Sequence, residues 1–142
     1  MKIKFKKVSE NAVPPRRGTE GSAGWDLAAI SCRWNEEFSC WEYGTGIAVE
    51  IPRGYVGLCG SRSSIFRTGL FLSNGTGWID SDYRGEIKAK FYTLYPYADQ
   101  PYKLGEYIVQ LTIVPILTVE FEEAEELSKT ARGEGGYGST GK

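Results

Sequence analysis

Histidine is absent from the chain. Without imidazole, Ser-His-Asp and Cys-His nucleophiles, His-ligated zinc and imidazole acid-base catalysis are excluded within one chain. A general base is then a carboxylate, and a metal would be held by oxygen, which favours magnesium, manganese or calcium over zinc. Cysteine is scarce: Cys32, Cys40 and Cys59 are odd in number, and none forms the close pair of a zinc or redox motif, so reduced, structural thiols are expected. No apolar stretch approaches the ~20 residues of a membrane helix, and the basic start Met1-Lys2-Ile3-Lys4-Phe5-Lys6-Lys7 lacks the apolar centre of a signal peptide. A cytoplasmic protein with no membrane partner is the expectation. Charge of one sign is not in excess either. Seventeen Lys plus Arg against eighteen Asp plus Glu leave a net charge of -1, so nothing global favours nucleic acid as a partner.

What is present is a chain of 142 residues, the size of one domain with one core. Its apolar residues alternate rather than recur every three or four positions, as at Ile3 and Phe5 and again at Ile87, Ala89 and Phe91, with lysines between them. That period marks half-buried strands. Pro52-Arg53-Gly54 separates residues 47–51 from 55–59 and reads as the turn of a hairpin. The run 107–116 ends around Pro115, a residue suited to a strand edge or bulge. With 18 glycines and six prolines as punctuation, an all-β sandwich or barrel-like domain follows. Residues 122–131 have helical propensity but no amphipathic stripe, so they predict no more than a turn or an edge. The first seventeen residues hold six basic groups and one acidic one, which reads as a solvated strand face. Trp25, Trp34 and Trp41 are expected in the core or at an interface, and Cys59 is expected to pack rather than react.

Three segments could carry chemistry. Gly60-Ser61-Arg62-Ser63-Ser64 follows a strand and offers a guanidinium, hydroxyls and turn N–H groups, which suits an anion or an ordinary exposed turn. The segment 74–86 combines Asn74, Gly75, Gly77 and the acidic pair Asp80 and Asp82. Its glycines let backbone approach a planar ligand, and the acids could orient water or a metal; the plain reading is a surface hairpin. Residues 128–142 contain five glycines in fifteen residues, with Arg132, Tyr137, Ser139 and Thr140. Such a tail packs no core alone and is either a free end or an arm that orders on a ligand or a neighbouring subunit.

Together these segments resemble the five ordered motifs of the trimeric deoxyuridine triphosphate nucleotidohydrolases, the dUTPases. Ala23-Gly24-Trp25-Asp26-Leu27 is similar to the first and Arg62-Ser63-Ser64 to the second. Gly77-Trp78-Ile79-Asp80-Ser81-Asp82-Tyr83-Arg84-Gly85 is similar to the third, Gly105-Glu106-Tyr107-Ile108-Val109-Gln110-Leu111 to the fourth, and residues 132–141 to the fifth. The resemblance implies a distorted jelly-roll-like β-clip domain over residues 1–127. It also implies a homotrimer with shared active sites, and an arm at 128–142 that closes over a neighbour's site.

By the same resemblance, dUTP is hydrolysed to dUMP and pyrophosphate, with Asp80 as general base for water attacking the α-phosphorus. Magnesium would span the triphosphate, and Asp26 would meet it only through water. Arg62, Ser63, Ser64 and Gln110 would hold the α- and β-phosphates, with Gln110 also in the catalytic set. Arg132, Gly138, Ser139 and Thr140 would hold the γ-phosphate. Asn74, Gly77, Trp78 and Ile79 would select uracil, Tyr83 would pack on the deoxyribose, and Tyr137 would stack on the base.

Two departures stand out: Glu106-Tyr107 replaces the usual Asp-Arg of motif four, and Trp78 replaces a smaller aliphatic residue. A similar Gly-Trp-Ile-Asp string occurs in dCTP deaminases of the same fold. Their catalytic glutamate, ten positions after the aspartate, is here Lys90, unsuited to that acid-base role. A nucleotide-gated regulatory binding protein is the alternative of another class; residues 91–97 and Tyr102 are its candidate surface, although a strand end packed at the trimer contact is the favoured reading of that segment.

Overall fold

The computed structural model describes residues 1–94 and 102–137. Its strands are β1 (Lys4–Lys7), β2 (Trp25–Ala28), β3 (Ser31–Asn35), β4 (Cys40–Gly44), β5 (Ile47–Glu50), β6 (Tyr55–Ser61), β7 (Leu70–Leu72), β8 (Thr76–Ile79), β9 (Lys88–Thr93) and β10 (Tyr107–Pro115). A 3-10 helix, Ser63–Arg67, follows β6. The strands form three antiparallel sheets, β1-β5, β2-β10-β6-β8 and β3-β4-β9-β7.

Alternation sets the layers. In β9, Ala89 and Phe91 are buried while Lys88, Lys90 and Tyr92 are exposed, as the period of two requires. β10 runs between β2 and β6, bonded on both edges, and ends at Pro115, where no further ladder needs its missing N–H. Its register against β2 slips between Tyr107 and Val109. There Ile108 and Val109, successive residues, both enter the core. One core cluster joins Leu27, Ile47, Val49, Leu111 and the rings of Tyr43, Phe91 and Tyr102, with Tyr43 edge-on to the other two. Burial pushes the phenols of Tyr43 and Tyr102 up. Where β4 turns into β5, Gly46 has φ +65°, and a Cβ there would meet Ile30 Cδ1 at 2.5 Å, so only glycine fits.

Several expectations change. Residues 47–51 and 55–59 are not a hairpin: the Pro52 turn forms, with Tyr55 N donating to Pro52 O, but β5 pairs with β1 while β6 pairs with β10 and β8. The turn at Asn74 likewise connects β7 and β8 in different sheets. Turn chemistry fixes a chain reversal, not the edge the next strand meets. Trp25 and Trp34 are 47% and 37% exposed, so neither is a core residue of the single chain. Tyr102 is buried with Phe91, which removes both from the candidate binding surface of the alternative reading, and residues 95–97 of that segment lie outside the described residues. Residues 122–131 carry no helix, as expected, and strands end at Pro115, well before residue 127.

Candidate active site

Four neighbouring strands bring distant residues into one row. Asp26 on β2 sits opposite Gln110 on β10, Gln110 opposite Gly60 on β6, and Gly60 opposite Thr76 on β8. Directly opposed residues share a face, and Leu27, Val109 and Cys59 beside them are buried, so the row points away from the core. Gly60 adds no side chain, and a Cβ there would meet nothing, which leaves open space beside Gln110. After Ser61 the extended Arg62 leads into the 3-10 helix.

A hollow of about 230 Å³ results, lined by Asp26, Arg62, Ser63 and Gln110, with Gly18, Ser22 and Gly24 from the loop before β2. Arg62 Nε donates to Asp26 Oδ1 at 3.0 Å, and Arg62 Nη1 donates to the Tyr107 carbonyl at 3.2 Å. The guanidinium is therefore fixed from two sides, with N–H donors left for an anion. Gln110 Nε2 donates to Ser61 O at 3.1 Å. Gly24 admits this packing: a Cβ there would lie 3.1 Å from Gln110 Oε1 and 3.0 Å from Thr112 Oγ1.

The other expected residues are elsewhere. Ser64 lies on the 3-10 helix, half-buried and outside the lining. Asp80 follows β8, four residues past Thr76, about 13 Å along a strand. It lines a second cleft of about 770 Å³ with Glu50, Arg53, Ser81, Asp82 and Arg84, and the two hollows share no residue. Trp78 is 67% exposed opposite Leu58, Gly77 faces Cys59, and Ile79 is half-buried opposite Gly57. Asn74 is exposed at the turn. Tyr83 Oη donates to Glu86 O at 3.0 Å and Arg84 Nη1 to Ser81 O at 2.7 Å, which closes the loop after Asp80 on its own carbonyls.

In the tail, Arg132 Nε donates to Gly135 O at 2.7 Å and Tyr137 is fully exposed; neither lines a hollow. Gly138, Ser139 and Thr140 lie outside the described residues. Among the described residues no three Asp, Glu or Cys side chains converge on a metal position. Lys90, at the position of the deaminase glutamate, bonds Glu42 at 3.0 Å on the β3-β4-β9-β7 sheet and lines neither hollow. Hydrogen bonds from Lys90 first, then Asn35 and Arg33, hold the Glu42 carboxyl down at about 2.

The dUTPase family model matches residues 10–141. The chain belongs to the dUTPase family. It is 43% identical over 141 residues to the deoxyuridine 5'-triphosphate nucleotidohydrolase of Corynebacterium glutamicum, covering 99% of this chain and 95% of that one. It is 40% identical to that of Escherichia phage T5, covering 98% of each. The fold is similar to the solved dUTPase of Staphylococcus bacteriophage 80alpha with dUPNHPP, at a TM-score of 0.84 and 29% identity over 99% of this chain and 98% of that one. Membership confirms the jelly-roll-like dUTPase fold and makes the chain a hydrolase of nucleotide metabolism, with dUTP hydrolysis as the family reaction. No helix among the described residues is long and apolar enough to cross a membrane.

Within this dUTPase, two residues near the hollow were not among the expected site residues. Arg16 and Asp26 exchange backbone bonds of 3.0 and 2.7 Å in an isolated bridge. The ring of Tyr107 lies under two guanidiniums, with Arg16 Cζ at 5.7 Å and Arg62 Cζ at 5.9 Å from its centroid. Only the departure from the motif-four pattern pointed to Tyr107; Arg16 was concealed within the basic N-terminal run.

Proposed function

We propose that the chain cleaves dUTP to dUMP and pyrophosphate by water attack at the α-phosphorus, in a site completed by more than one copy of the chain. One observation carries this reading: Asp26, Arg62, Ser63 and Gln110, from three separate motifs, converge in one hollow, while Asp80 stands in another. Arg62, Ser63, Ser64 and Gln110 bind the α- and β-phosphates, and Asp80 of another copy takes the proton of the attacking water. Arg132 with Gly138, Ser139 and Thr140 closes on the γ-phosphate. Trp78, Ile79, Gly77 and Asn74 shape the uracil pocket, Tyr83 packs on the deoxyribose and Tyr137 covers the base.

The residues fit a magnesium ion that arrives on the substrate. Among the described residues they supply no three-acid cage, yet Asp26 stands in the hollow proposed for the phosphates, where it can accept a hydrogen bond from a metal-bound water. When bound with the substrate, magnesium would supply charge neutralisation for the departing pyrophosphate.

A homotrimer is the assembly that fits. Leu117, Val119 and Phe121 are exposed at every second position, the pattern of a strand without its sheet. A groove of about 390 Å³ beside β1 is lined by Ile3, Phe5, Trp25, Leu111 and Ile113 and can receive such a strand from a neighbour.

The test uses complementation. Asp80→Asn and Arg62→Gln chains should each fold and lose about 10²-fold or more of kcat as pure proteins. Co-expressed, they should form mixed oligomers that regain part of the activity, because some sites then combine an intact Asp80 with an intact Arg62. Wild-type turnover by Asp80→Asn removes Asp80 as the base. Mixed oligomers no more active than the parents exclude shared sites.

A further inference from the structure

Replacing the usual arginine of motif four by Tyr107 removes a guanidinium beside the phosphate hollow. The structure brings a different one to the same place. Arg16 is anchored by its backbone bridge to Asp26, the residue whose carboxylate pairs with Arg62. Its guanidinium carbon lies 5.7 Å from the Tyr107 ring centroid, and that of Arg62 lies 5.9 Å from the same centroid. The β10 bulge that turns Ile108 and Val109 into the core leaves Tyr107 half-buried at the strand's start, its carbonyl receiving Arg62 Nη1.

An aromatic face attracts guanidiniums and fixes their planes without neutralising them. A carboxylate at this position would cancel the positive charge, and a third guanidinium would repel the other two. Glu106 does not intervene, because its Oε2 accepts from Lys103 N at 2.7 Å in the turn before β10. Arg16 is exposed, and among the described residues its side chain pairs with the ring alone, which leaves its N–H donors to a ligand.

We propose that Arg16 is a second phosphate-binding guanidinium of this dUTPase, and that Tyr107 is a positioning residue whose ring holds Arg16 and Arg62 toward a polyphosphate. The proposal rests on the assignment of the Asp26–Arg62 hollow to the triphosphate. It places that second guanidinium on a residue ninety-one positions before Tyr107, which stands where the motif usually has arginine.

The test is steady-state hydrolysis of dUTP by the full chain with magnesium, with oligomer size and melting temperature recorded for each variant. Arg16→Gln, at an exposed position, should fold as wild type and raise KM about five-fold with kcat nearly unchanged. Its KM should also rise less steeply with ionic strength, since one cation no longer meets the substrate. Tyr107→Phe keeps the ring and should match wild type, whereas Tyr107→Leu should raise KM about as much as Arg16→Gln. The double variant Arg16→Gln, Tyr107→Leu should fall well short of the product of the two effects.

Unchanged KM and salt dependence in Arg16→Gln overturn the phosphate contact. Failure of Tyr107→Phe to retain wild-type KM overturns the role of the ring. Arg62→Gln separates the two levels of the argument. If it too leaves KM and kcat at wild-type values, the hollow is not the phosphate site; if it is crippled while Arg16→Gln is normal, only the present proposal fails.

Discussion

Gly24 offers a direct perturbation of the site through packing alone. Its φ is not in the left-handed region, so alanine carries no backbone strain there, and it gains about 0.4–1 kcal/mol from a less flexible unfolded chain. Against that, the new Cβ would sit 3.0 Å from Thr112 Oγ1, 3.1 Å from Gln110 Oε1 and 3.2 Å from Gln110 Cβ. Ordinary contact begins near 3.4 Å, so these atoms must retreat by a few tenths of an ångström. Gln110 Cβ cannot retreat easily, because β10 is bonded on both sides at that residue. The amide must swing, which strains its 3.1 Å bond to Ser61 O.

Overpacking of this kind costs about 1–3 kcal/mol, so Gly24→Ala should lose a net of about 1 kcal/mol, a fall of about 3–4 °C in melting temperature. If Gln110 holds phosphate as proposed, displacing it by even part of an ångström should cost more in activity, about ten-fold in kcat/KM. Calorimetry and a pyrophosphate-release assay on the same preparation measure both. A variant with wild-type kcat/KM would refute the claim that Gly24 keeps Gln110 in a working position, whatever its stability.

Glu42, held down at about 2 by Lys90, contributes stability that is fully present above its unfolded value of 4.5 and is lost as pH falls from 4.5 toward 2. Lys90→Gln should flatten that acid limb in pH-dependent melting, and an unaltered limb would contradict it. Burial pushes the Cys59 thiol up to about 12 from 9, so its stabilising contribution is present below pH 9 and is lost as pH rises from 9 toward 12. Native protein should accordingly leave Cys59 unmodified by a disulfide reagent at pH 8, as peptide mapping would show. If the proposed homotrimer rests on this exposed segment, Leu117→Ser with Phe121→Ser should lower the mass found by light scattering toward that of a monomer; an unchanged mass would contradict that contact.

Much of the chain was legible because its physics is local. The alternation at Ala89 and Phe91 gave a strand with the correct face inward, and Pro115 marked the end of β10. Strand partners were less legible. The turn at Pro52 is real, but whether β6 returns to β5 or crosses to β10 depends on distant edges that no local signal encodes. Which aromatic residues enter the core of the single chain, as Tyr102 does, and which stay open to solvent, as Trp25 does, was not legible, since such side chains serve a core and an interface equally well. Within the site, Asp26, Arg62, Ser63 and Gln110 could be named from motifs, yet their convergence needed the register of β2, β10 and β6. Arg16 was illegible for the same reason: its partner ring lies ninety-one residues away, and only the fold brings them together.

The most direct measurement incubates the purified chain with magnesium and, separately, dUTP, dCTP, dTTP and UTP, following nucleoside monophosphate, pyrophosphate and ammonia. dUMP and pyrophosphate in equal amounts from dUTP, with little product from the other three, is the predicted result. Ammonia from dCTP, or firm dUTP binding without turnover, would contradict it.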